Sequence, residues 1–169
     1  MTDLRAIVAT SADVDAVHAL LAAAGERLAK RGFPNWVPAY PRARVAENIE
    51  DGIVWGVRGA GELVATYTLR PLATHPYTGI DWHDPDAIAR YLQRFAVDPR
   101  LQGRGIGRWC LEQLAEECAR DGATAVRCDV LQANVPLRRF YERHGYEARG
   151  DRFHSGWDFT VYERVLALT

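Results

Sequence analysis

The stretch "VDPRLQGRGIGRW", Val97–Trp109, sets Gly103, Gly105 and Gly107 at alternate positions, with Arg104 and Arg108 among them. The apolar run Tyr91–Val97 leads into it, and a segment of period 3.6 leads out. Ile106, Cys110, Leu111, Leu114 and Cys118 share one face of that segment, and Arg108, Glu112, Glu116 and Arg120 take the other. A strand therefore passes into a helix through bare backbone. The first N–H groups of a helix lack intrahelical partners and carry partial positive charge, so an anion that comes close there is held by the main chain. Three glycines in five residues exceed what one tight turn requires and fit a pyrophosphate. Two common phosphate fingerprints fail. The dinucleotide pattern G-x-G-x-x-G needs a glycine where Arg108 stands, and the P-loop needs lysine where the chain has Trp109.

Working outward, Leu4–Val8 reads as a strand, and Ser11 as the cap of a helix carrying Val14, Val17, Leu20, Leu21 and Leu28. Gly32 and Pro34 stop that helix, and the loop "GFPNWVPAYP" leads to a second one near Ala43–Glu50. Ile53–Arg58 and Leu63–Leu69 flank Gly59-Ala60-Gly61 as a hairpin. A long loop, "RPLATHPYTGIDWHDPDAIAR", precedes the strand that feeds the glycines, and long loops in compact domains are often functional. Gly122 ends the long helix, Ala125–Leu131 is a strand, a helix runs from about Pro136 to His144, and strands near Tyr146–Arg149 and Trp157–Val165 finish the chain. The order β-α-α-β-β-β-α-β-α-β-β implies an α/β fold, a mixed sheet with helices on both faces, in one domain over residues 1–169.

With 169 residues, 48% hydrophobic and 25% charged, the chain is long enough to bury a real core. Its 21 basic and 22 acidic residues give a net charge of -1, which argues against nucleic acid or an anionic membrane as partner. Cys110, Cys118 and Cys128 show no C-x-x-C pairing and read as small buried hydrophobes, with no metal called for. The first residues contain acids and no unbroken apolar core, so a secretory signal is not supported and a cytoplasmic location is expected.

Gln102-Gly103-Arg104-Gly105-Ile106-Gly107 resembles the acetyl-CoA site of the GNAT N-acetyltransferases, whose signature is Gln or Arg, two residues, Gly, one residue, then Gly or Ala. Val97-Asp98-Pro99 matches the family's Val-x-Pro turn, and Asn134, Tyr141 and the pair Gly145-Tyr146 match a second block downstream. The resemblance covers essentially the whole chain. It implies a central mixed, mostly antiparallel sheet with helices on both faces and a splayed fourth and fifth strand. It further implies that the backbone of Phe95 and Val97 pairs with the pantetheine arm, and that an amide near Phe95 or Ala96 polarises the acetyl carbonyl. Amides from Gln102 through Gly103, Arg104, Gly105, Ile106 and Gly107, with Arg108, would hold the pyrophosphate. Asn134 would contact the coenzyme, or cap the helix near Pro136, or do both. Tyr141 would protonate the departing thiolate, a phenol of reference pKa about 10 serving a thiol of about 8.5.

The implied reaction moves an acetyl group from acetyl-CoA, as donor co-substrate, to a primary amine by direct attack in a ternary complex. The acceptor would be a small molecule, a peptide N-terminus or a lysine. A protonated amine needs a proton acceptor, and Tyr91–Val97 contains no acid; Gln93 stands where some relatives carry glutamate. His75, Asp81, His83, Asp84, Asp86 and Asp129 remain as candidates, none singled out. Asp81, Asp84 and Asp86 would suit a cationic acceptor. Phe33, Trp36, Tyr40, Tyr77 and Trp82 either line an acceptor pocket or anchor their loops. The missing glutamate leaves open an inactive acetyl-CoA-binding or protein-interaction module. The strand Trp157–Val165 is either an exposed edge that pairs with a second copy in a homodimer or an interior strand.

Overall fold

The computed structural model describes residues 3–167. A seven-stranded sheet has the order β1-β2-β3-β4-β5-β7-β6, built from β1 (Arg5–Val8), β2 (Val54–Gly59), β3 (Glu62–Arg70), β4 (Ala89–Val97), β5 (Ala125–Leu131), β6 (Glu147–His154) and β7 (Trp157–Val165). Four α-helices accompany it: α1 (Val14–Lys30), α2 (Arg42–Glu50), α3 (Ile106–Arg120) and α4 (Val135–Arg143). The pairing is antiparallel for β1-β2, β2-β3, β5-β7 and β6-β7, and parallel for β4-β5. The chain divides into two compact units, one running to Leu69 together with Arg94–Cys110, the other comprising Arg70–Gln93 and the residues from Leu111 onward.

In the first unit, α1 buries Val14, Val17, Leu20, Leu21 and Ala24, the stripe its periodicity requires, in one cluster with Val45 and Ile49 of α2, Val54 and Ala96. The entry to α1 differs from expectation. Ser11 opens a short 3-10 turn capped by Thr10, whose backbone N–H (2.8 Å) and hydroxyl (3.1 Å) both donate to the Asp13 carboxylate, and Asp13 is the N-cap residue of α1. Asp13 also receives the Arg58 guanidinium. These bonds, the Thr10 backbone foremost, hold the Asp13 carboxyl below its ordinary range against the opposing effect of burial. Ala60 and Gly61 turn the β2-β3 hairpin with φ of 51° and 85°, the paired left-handed residues of a two-residue hairpin loop.

Gly25 on α1 lies close against the first loop: a Cβ there would lie 2.8 Å from the Trp36 carbonyl oxygen and 3.2 Å from its Cβ. Backbone cannot yield as a side-chain tip can. Gly25→Ala is therefore expected to destabilise the protein by about 1–3 kcal/mol in denaturant melts, overpacking outweighing the better helix propensity of alanine.

In the second unit, β5 pairs with β7 along its whole length, from Ala125↔Val165 to Leu131↔Phe159, and β7 pairs with β6. The strand at Trp157–Val165 is thus interior, and the sheet ends on β1 and β6. β6 extends to His154, five residues past the expected end. The sequence "GDRFH" lacks apolar alternation, and a bulge between Ala148 and Gly150 breaks its period. Leu111, Leu114 and Cys118 of α3 are buried as their shared face predicts, as are Val126, Cys128 and Val130 of β5. Arg127, on the opposite face of β5, is buried too, because the long loop covers it. Trp82 lies against its guanidinium at 3.9 Å, and the Asp84 carbonyl accepts its Nη2 at 2.9 Å.

Candidate active site

The glycine loop lies in the first unit. Asp98 N–H donates to the Val64 carbonyl (2.9 Å) and Leu101 N–H to the Asp98 carbonyl (2.8 Å), so the chain leaves β4 in a hydrogen-bonded turn. The Asp98 carboxylate is held below its ordinary range chiefly by side-chain hydrogen bonds from Arg100. Gly103 and Gly105 have φ of 80° and 82°, where an L side chain is strained, and an added Cβ would meet nothing within 4 Å at either. Conformation, not crowding, demands glycine here, and the space beside the loop is open. The Trp109 N–H bonds back to the Gly105 carbonyl at 3.0 Å, so the first turn of α3 opens directly on the glycines. Gln102, Arg104 and Arg108 are exposed beside it. Ala96 is buried in the core cluster, Phe95 meets Tyr67 edge-on at 6.4 Å, and the Val97 carbonyl accepts the Gln102 amide at 3.4 Å.

Tyr40, Asn48, Thr66, Thr68 and Arg94 line a small cleft in the same unit. The Arg94 guanidinium stacks 3.5 Å from the Tyr40 ring centroid, and Asn48 donates to the Tyr40 hydroxyl at 3.2 Å. Tyr40 is thus the first-loop aromatic that faces a cleft. Trp36 anchors its loop on Gly25 instead.

Asn134 and Tyr141 lie in the second unit. Asn134 is buried, and its Oδ1 accepts the Leu137 N–H at 3.2 Å, so it caps α4; its amide nitrogen takes no part in that bond. Tyr141 packs against Phe140, Tyr146 and Tyr162 with ring centroids at 5.6, 5.1 and 6.4 Å. Burial pushes its phenol well above the ordinary range, with Cys128 and Tyr146 adding to the shift. It therefore stays protonated across the neutral range. The three cysteines are buried and free. Burial raises the thiols of Cys110 to about 12 and Cys118 to about 11, and Cys128 further, which keeps them from acting as thiolate nucleophiles near neutrality.

The long loop is anchored at several points. The His83 N–H donates to Glu163 at 2.8 Å, the Asp81 N–H to the Arg149 carbonyl at 3.0 Å, and Tyr77 stacks on Tyr91 at 5.8 Å. Asp84 accepts the Asp86 N–H, a turn-forming bond. Gln93 holds the loop's start, accepting from Arg70 and donating to Thr74, both at 3.1 Å. Two features went unread in the sequence. Glu163, fully buried, takes Arg127 at 3.0 Å and Arg149 at 3.2 Å. Asp129 gathers the loop's Tyr77 and Arg152 of β6 around its carboxylate. Alternation put Arg127 and Asp129 on one face of β5, but nothing local named their partners, which lie 36 and 52 residues away.

Among the described residues no group of three or more His, Cys, Asp or Glu is placed to hold a metal, and no helix is long and apolar enough to cross a membrane. The chain is similar to N-acetyltransferase YesJ of Bacillus subtilis (strain 168), itself uncharacterized, at 28% identity over 144 residues, 82% of this chain and 78% of the relative. Its structure matches a GNAT-family acetyltransferase from Streptococcus agalactiae 2603 with a TM-score of 0.84 at 20% identity, over 97% of this chain and 96% of the other. It also matches the PaiA N-acetyltransferase of Thermoplasma acidophilum, solved in complex with coenzyme A, with a TM-score of 0.74 at 15% identity, over 96% and 99%. The model of the acetyltransferase (GNAT) family matches residues 21–146, a span that takes in the glycine loop, Asn134 and Tyr141, and the chain belongs to that family.

Proposed function

We propose that the protein is an N-acetyltransferase that moves the acetyl group of acetyl-CoA to a primary amine, on a small molecule or at a peptide N-terminus or lysine, by direct attack in a ternary complex. The observation that carries this reading is the loop Gln102–Gly107, where two glycines of left-handed conformation open onto the first turn of a 15-residue helix. The amides of Gln102–Gly107, with Arg104 and Arg108, hold the pyrophosphate. The backbone of Phe95 and Val97 pairs with the pantetheine arm, and an amide at Phe95 or Ala96 polarises the acetyl carbonyl. The recorded β4-β5 ladder supports this: it runs from Ala89↔Ala125 and stops at Leu92↔Cys128, short of those residues. Asn134 contacts the coenzyme through the amide nitrogen that its cap leaves over, and Tyr141 protonates the thiolate. The family match runs across both compact units, which supports one functional domain over residues 1–169. Buried, free cysteines suit a cytoplasmic site of action.

A second reading, a coenzyme-binding module without turnover, draws support from Gln93, which carries no acid and ties Arg70 to Thr74. Thermal shift followed by turnover separates the two. Acetyl-CoA at 100 times its dissociation constant stabilises the native state by about 2.7 kcal/mol, and NADH and ATP are expected to give no comparable shift. Gly105→Val should abolish the acetyl-CoA shift. Equal shifts with all three ligands, or none, would remove the acetyl-CoA assignment; a selective shift with no acetylation across a panel of amines would favour the inactive module.

A further inference from the structure

We infer that Asp129 is the general base that takes the proton from the acceptor amine, a proposal that rests on the acetyltransferase reading above and identifies the proton acceptor that β4 lacks. The argument begins with register. β4 and β5 run paired as far as Leu92↔Cys128, and Asp129 is the first residue of β5 beyond that ladder. Successive side chains of a strand point to opposite faces. Cys128 pairs directly with Tyr162 of β7 and so shares its face, the one on which Tyr141 stacks on Tyr162. Asp129 consequently looks the other way, and proton donor and proton acceptor stand on opposite faces of the sheet where the ladder ends.

The surroundings of Asp129 fit the role. Tyr77 donates its hydroxyl to Oδ1 at 2.9 Å, Arg152 Nη1 lies 3.4 Å from Oδ2, and the Arg152 guanidinium rests 4.7 Å from the Tyr77 ring centroid. The carboxylate is oriented from both sides yet keeps 26% of its side-chain surface exposed, with lone pairs left for an incoming N–H. Two imidazoles complete the environment: His75 of the long loop and His154 of β6 lie with ring centroids 4.3 Å apart. Burial raises Asp129 above the ordinary carboxylate range, overcoming the lowering effects of Tyr77, Arg152, His154 and His75. His154 is pushed down by burial, His75 and Arg152, so it is a neutral neighbour at pH 7. Two other acids and the strand glutamine are committed elsewhere: Glu163 to Arg127 and Arg149, Asp84 to the turn at Asp86, and Gln93 to Arg70 and Thr74.

In the reaction, an ammonium N–H proton passes to an Asp129 oxygen and frees the nitrogen lone pair. That pair forms the N–C bond to the thioester carbonyl carbon, the C–S bond breaks, and the thiolate takes a proton from Tyr141. The amide nitrogen sheds its second proton, which restores Tyr141 through solvent, and Asp129 returns its own to water. One proton is released per acetyl group transferred.

The test compares wild type, Asp129→Asn, Asp129→Glu and Tyr77→Phe with the best amine from the panel. Wild-type kcat/KM should rise through the raised pKa of Asp129 and level off, because the enzyme accepts the ammonium form. Asp129→Asn should lose about 100-fold in kcat at pH 7 and rise with unit slope toward the pKa of the amine, as only free amine then reacts. Its acetyl-CoA thermal shift should match wild type, Asp129→Glu should recover part of kcat, and added acetate should rescue Asp129→Asn alone. Should Asp129→Asn fail to fold, Tyr77→Phe carries the test. It removes a bond that lowers the Asp129 pKa, so the acidic limb should move to higher pH. A kcat and pH profile for Asp129→Asn like those of wild type, or an unmoved limb in Tyr77→Phe, would overturn the assignment while leaving the enzyme reading intact. Selective acetyl-CoA binding without acetylation of any amine would overturn both.

Discussion

Replacing Glu163 by alanine is expected to destabilise the protein by about 3–5 kcal/mol, the loss that follows when one partner of a buried ion pair is removed and the other stays behind. Arg127 is 3% exposed and Glu163 1%, so the stranded guanidinium would have little recourse to water. It would keep the Asp84 carbonyl, the Tyr91 hydroxyl and the Trp82 face, none of which carries a compensating charge. For a chain of this length the loss corresponds to a fall in Tm of about 10 °C. The double variant Arg127→Met/Glu163→Leu should be more stable than Glu163→Ala, since a pair removed together leaves less uncompensated charge. Glu163 also accepts the His83 N–H, so the long loop should open as the pair is lost. Limited proteolysis within residues 71–88 reads that directly. Unchanged protease resistance, or a double variant as unstable as the single one, would contradict the assignment of this pair as the loop's anchor.

Tyr141→Phe is expected to lower kcat about 100-fold, the range for loss of a positioned acid, with acetyl-CoA affinity unchanged. The ring of phenylalanine retains the packing against Phe140, Tyr146 and Tyr162, so the variant removes a proton donor and little else. The pH dependence gives a second check. Because burial raises the Tyr141 pKa, the hydroxyl stays protonated through neutrality, and its ionisation should impose no alkaline limb below about pH 10. A kcat within twofold of wild type would assign Tyr141 to packing alone. A parallel loss of coenzyme binding would assign it to the architecture of the site.

Where the determinants of an element are local, the sequence announced it. The β2-β3 hairpin follows from Ala60-Gly61, α3 from the spacing Ile106, Cys110, Leu111, Leu114 and Cys118, and the interior strand Ala125–Leu131 from its alternation. Elements with weak local signals were misjudged at their ends. β6 outran its expected length because Asp151 and Arg152 make it look like a loop, whereas pairing with Thr160 and Phe159 of β7 holds it as strand. The cap expected of Ser11 falls to Asp13, because Ser11 opens a 3-10 turn that the Thr10 N–H closes onto the Asp13 carboxylate before α1 begins.

The chemistry divides along the same line. A backbone phosphate site depends on glycine conformation and helix start, both properties of contiguous residues, so "QGRGIG" made the proposed site legible and carried the family resemblance, with Asn134 and Tyr141 following at their spacing. The proton acceptor had no such signature. Asp129 stood as one acid among several, and only tertiary structure brought Tyr77, His75, Arg152 and His154 to it while committing Asp84 and Glu163 elsewhere. A carboxylate's basicity and orientation are set by whatever surrounds it in space, and those neighbours come from a loop and a strand that the chain order keeps far apart.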